Sequence, residues 1–95
     1  MRTYALPPAA VCYKVIGPFD DQTLPGGLTR EHRLKPGVWA VIDLSCGNLH
    51  FTWDDGEGGD QLLVGPRRFV IPPEIPHYIS ALCDISLTIS FFRPD

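Results

Sequence analysis

Ile85-Ser86-Leu87-Thr88-Ile89-Ser90-Phe91 decides the fold class, because every odd position is apolar and every even one polar. A repeat of two is that of a strand with one buried and one wet face. Leu49-His50-Phe51-Thr52-Trp53-Asp54 repeats it, which points Leu49, Phe51 and Trp53 inward and His50 outward. Val38-Trp39-Ala40-Val41-Ile42-Asp43-Leu44 is apolar on both faces and reads as a central strand. Cys46-Gly47-Asn48 supplies a turn signal between the last two, so residues 38–44 and 49–54 are expected to form a hairpin.

Working outward, Gln61-Leu62-Leu63-Val64 and Arg67-Arg68-Phe69-Val70-Ile71 read as strands joined by a turn at Gly65-Pro66. Asp54-Asp55-Gly56-Glu57-Gly58-Gly59-Asp60 is an acidic loop tip. Pro72-Pro73-Glu74-Ile75-Pro76 is a rigid non-helical loop before the strand His77-Tyr78-Ile79-Ser80-Ala81-Leu82. Val11-Cys12-Tyr13-Lys14-Val15-Ile16 suits an edge strand, Asp20-Asp21-Gln22-Thr23 one helical turn, and residues 28–34 a largely polar strand. Ten prolines and nine glycines leave no room for a long amphipathic helix. Seven or eight short strands at this spacing indicate an all-β sandwich or barrel.

The 95 residues predict one domain, 1–95, with a modest core, which makes a homodimer the expected assembly. A net charge of −3 gives no general attraction to nucleic acid or to anionic membranes, and neither partner is expected. No run approaches the ~20 apolar residues of a membrane span, and the first residues lack an apolar signal core. Cys12, Cys46 and Cys83 are an odd, widely spaced set without a Cys-x-x-Cys pair. These features predict a cytoplasmic protein, with Cys46 and Cys83 as small core residues. Trp39, Trp53, Phe51, Phe69 and Phe91 are read as core.

Chemistry centres on the histidines. His77 follows the proline loop, so its backbone is held before any ligand arrives. Glu74 stands three residues earlier, and His32 lies in the charged run Thr29-Arg30-Glu31-His32-Arg33. Two imidazoles and one carboxylate would suit iron(II) or zinc with open positions, provided the prolines bend Glu74 and His77 to one side. Otherwise these are surface residues. His50 is assigned a structural or surface role.

Four segments together resemble the TehB/YeaR-like cupin family: Leu24-Pro25-Gly26-Gly27-Leu28; Glu31-His32-Arg33-Leu34-Lys35-Pro36-Gly37-Val38-Trp39; Gly47-x-Leu49-x-Phe51; and Val70-Ile71-Pro72-Pro73-Glu74-Ile75-Pro76-His77. The resemblance covers roughly residues 15–93. It implies a double-stranded β-helix, or jelly roll, with a metal pocket, His32 and His77 as ligands and Glu74 as a nearby carboxylate. It also implies a stress or tellurite-resistance-like setting; methyl transfer, which larger members carry out, is not implied. Ala40 falls about where cupins place a glutamate, so a four-ligand iron site is not expected. The first expectation is a domain that binds a divalent metal, zinc or iron, and a small molecule. A metal-dependent enzyme, with Tyr78 or Arg30 orienting substrate, is the second. The third is a metal-free module dimerising through His50, Trp53 and strand 38–44.

Overall fold

The computed structural model describes residues 2–94. Seven strands follow one another: β1 (Ala10–Phe19), β2 (Trp39–Cys46), β3 (Asn48–Trp53), β4 (Gln61–Val64), β5 (Arg67–Ile71), β6 (His77–Ala81) and β7 (Ser86–Pro94). They form two antiparallel sheets, in the orders β1-β7-β2-β5 and β4-β3-β6. The only helix among the described residues is a 3₁₀ turn at Gly26–Leu28. Among the described residues no helix is long and apolar enough to cross a membrane.

The period-two pattern sets what lies between the sheets. Ile42, Leu44, Phe69, Ile71, Leu87 and Ile89 from one sheet meet Leu49, Phe51, Trp53, Leu63 and Ile79 from the other. β2 is central and is buried on both faces; Val41, pointing away from that core, is 0% exposed. β1 lies at a sheet edge, as its sequence predicts. Asp20 caps the expected single turn, its carboxylate accepting from the N–H groups of Gln22 and Thr23 at 2.8 and 2.9 Å.

Several expectations are corrected. Residues 38–44 and 49–54 do not form a hairpin: β2 pairs with β5 and β7, and β3 with β4 and β6. The chain passes from one sheet to the other at Gly47, whose φ is 88°. A Cβ there would collide with the carbonyl oxygen of Asp84 and stand 2.9 Å from Ile85 Cα, so only glycine fits. The β4-to-β5 passage crosses beside it, with Gly65 N–H donating to Gly47 O at 2.9 Å. Residues 28–34 are not a strand; their one backbone pairing with a sheet is a bridge between His32 and His77, while Leu28 and Leu34 pack against the core. Cys46 and Cys83 are exposed, not core, because they lie at the same corner end, beyond the packed layers. Trp39 alternates with buried Ala40, which turns it to the outer face, where it is half-buried opposite Phe92.

Candidate metal centre

The end of the sandwich opposite Gly47 carries the start of β6, the end of β3 and the 72–76 loop. There His32 N–H donates to His77 O at 3.0 Å and His77 N–H to His32 O at 2.9 Å. This reciprocal pair joins two residues 45 positions apart and brings their rings to 4.2 Å between centroids, with planes at 67°. Each ring is oriented by the carbonyl two residues earlier: His32 Nδ1 lies 3.0 Å from Arg30 O, and His77 Nδ1 lies 2.8 Å from Ile75 O. A carbonyl only accepts, so both Nδ1 atoms carry a proton and Nε2 is the nitrogen each ring has left for a ligand. This backbone arrangement is common behind metal-ligating histidines.

His77 is 1% exposed. It stacks on Phe51, with centroids 5.3 Å apart, and meets the edge of Trp53 at 6.2 Å. Burial among these rings pushes its pKa down to about 4; the Ile75 carbonyl opposes the shift, and neighbouring His32 adds to it. His77 is therefore neutral at pH 7, the state in which imidazole binds metal. His32 is half-buried beside it.

The other sequence candidates stand elsewhere. Glu74 is exposed, at φ 70°, and its N–H donates to Leu34 O at 2.9 Å, tying the proline loop to the segment that carries His32. Among the described residues no three or more His, Cys, Asp or Glu side chains converge, so the two histidines are not joined there by Glu74. Tyr78 alternates with His77 and faces the other side of β6, and Arg30 is exposed, contributing its carbonyl to His32. His50 faces away from the core, 3.4 Å from Thr52 Oγ1.

A feature absent from the sequence reading covers the neighbouring Trp53. Arg2 donates to both carboxylate oxygens of Asp55, at 2.9 and 2.8 Å, and to Gly58 O at 3.0 Å. Its guanidinium lies 4.5 Å from the Trp53 ring, and Tyr4 meets that ring edge-on. The guanidinium holds the Asp55 carboxyl at about 2. Beneath this strap Trp53 Nε1 and Gln61 Oε1 are buried without a protein partner. Trp53 is thus unavailable as a surface for a second subunit. No local signal announces the strap, since Arg2 and Asp55 are 53 residues apart.

Two facing antiparallel sheets, exchanged at glycine corners and holding a histidine pair at one end, define a jelly roll of the cupin class. A cupin-2 domain protein from Shewanella frigidimarina superposes at TM-score 0.54, with 17% identity over 99% of this chain and 78% of that one. The family model of the TehB-like domain matches residues 14–89, and the chain belongs to that family. A protein from E. coli strain K12 superposes at TM-score 0.88, with 24% identity over 98% of this chain and 99% of its own. TehB from Haemophilus influenzae gives 0.83, with 22% identity over 92% of this chain but 32% of that one, so the chain spans about a third of that protein. No curated protein sequence matches.

Proposed function

We propose that this domain binds a divalent metal ion through Nε2 of His32 and His77, leaving the remaining coordination positions to water or a small molecule. The supporting observation is the pair of carbonyl-oriented imidazoles 4.2 Å apart. Two imidazoles with the other positions open would suit iron(II) or zinc. Such an ion would supply charge and exchangeable positions; the chain's own part is to orient both rings and exclude water behind His77 with Phe51 and Trp53. The stress or tellurite-resistance-like setting belongs to the same proposal.

The test is metal titration and elemental analysis of the purified protein. His77→Asn keeps a donor for Ile75 O but removes Nε2, and it should weaken cobalt(II) or iron(II) binding by at least about a hundredfold, since losing a mere outer-shell partner of a ligand already costs up to that much. His50→Ala should change nothing. Stoichiometric metal retained by folded His77→Asn would overturn the proposal.

For assembly we propose a homodimer through edge strand β1, which exposes Val11 and, at 58%, Val15. Val15→Lys should yield a monomer by sedimentation; a wild type that is already monomeric would refute it.

A further inference from the structure

Half of the chain's eight Lys and Arg side chains gather around one cleft, although the net charge is −3. Lys14, Arg33 and Lys35 line it together with Tyr13, Leu34, Val38 and Phe91. The fourth cation, Arg93, sits 5.1 Å from the Tyr13 ring centroid. The cleft holds about 300 Å³, the lower end of the range for small-molecule sites. Among the described residues Arg33 has a carboxylate within ion-pair distance, Glu31 at 3.4 Å; Lys14 and Lys35 have none.

Local backbone features build this arrangement. In a regular strand Tyr13 and Lys14 would point to opposite faces. The register of β1 on β7 jumps between Cys12, opposite Phe92, and Lys14, opposite Phe91. That bulge makes Tyr13 the extra residue and lets both neighbours reach the cleft. The opposite wall is the irregular segment 33–35, followed by a tight turn. Val38 N–H donates to Lys35 O at 3.0 Å across Pro36-Gly37, with Gly37 at φ 79°. Proline then glycine is the pairing a type II turn demands, and it folds Lys35 back above Val38.

We propose that this cleft is a second ligand site, for a small organic anion with an apolar body. The anionic group would lie on the rim of Lys14, Arg33 and Lys35, and the body against Leu34, Val38 and Phe91. A purely apolar ligand leaves three cations unused, and an inorganic anion leaves the floor uncovered. The site is separate from the histidine pair, and its test is run in chelator so that no metal takes part.

The experiment is an amide-resolved NMR titration of the full chain with 2-naphthoate. The comparators are neutral 2-naphthamide, which keeps the body, and acetate, which keeps the charge. Saturable shifts are expected at residues 13–14, 33–38 and 91. Naphthamide and acetate should each bind about tenfold more weakly or worse, and added salt should weaken naphthoate. Lys35→Gln and Lys14→Gln sit on opposite walls and are exposed, so the fold should survive either; each should weaken naphthoate severalfold. Four results would overturn the proposal: no saturable shift, naphthamide binding as tightly as naphthoate, acetate doing so, or affinity unchanged in both variants.

Discussion

Acidifying the metal-free protein should unfold it in a window set by one ring. His77 has a folded-state pKa of about 4, against 6.5 for a free imidazole, because protonation would place a charge among Phe51, Trp53 and His32. Above pH 6.5 the ring is neutral in both states and stability is at its full value. As the pH falls the unfolded chain takes up the proton first, so stability drops between 6.5 and 4 and levels off below. The loss from this group is about 2 kcal/mol by pH 5 and about 3 kcal/mol by pH 4. That is a large share of what a small domain possesses. The assay is urea denaturation in chelator at closely spaced pH values, for wild type and His77→Asn. The variant retains the ordinary carboxylate titrations and lacks the imidazole, so the difference between the curves isolates His77. A wild-type midpoint that stays level from pH 7 to 4.5, or a variant that falls as steeply, would refute the claim that the ring is buried uncharged.

Two further outcomes can be checked on the same material. Gly47→Ala forces a Cβ into the Asp84 carbonyl at φ 88° and should cost about 2–4 kcal/mol, read as a lower thermal midpoint. Arg2→Ala should shift Trp53 emission and speed amide exchange in residues 2–6 and 54–60. Asp55→Asn should have a smaller effect of the same kind and add less than its own effect to Arg2→Ala, since the ion pair is lost in both; fully additive effects would show that the two act separately.

The alternation in residues 85–91 and 49–54, and the two-faced run at 38–44, exposed the strands because burial imposes a period of two on them. What alternation does not encode is which strand lies beside which. Cys46-Gly47-Asn48 has the composition of a tight reversal, and a left-handed glycine serves equally in a reversal or a corner. The difference lies in Asp84 and Ile85, 37 residues on, which crowd Gly47 from outside. The same blindness put Cys46 and Cys83 in the core, and it extended a strand through 28–34 where one bridge suffices. His32 and His77 were marked by residue type and by the resemblance, yet their proximity depends on a backbone bridge between distant segments. Glu74 was grouped with them by spacing. Its left-handed turn between prolines leaves it exposed, with its N–H on Leu34.

The sheet exchanges at Gly47, Gly65 and Asp84-Ile85 are clustered at one pole, and both the imidazole pair and the basic cleft lie at the other. Rewriting the chemistry-bearing pole therefore need not disturb the joints that close the barrel. Around Gly56, where an added Cβ meets nothing within 4 Å, new residues could be accommodated as a longer rim, while the same insertion at Gly65 would push into Cys46. A scaffold divided in this way can acquire new ligands by local change at one pole while its folding instructions stay at the other.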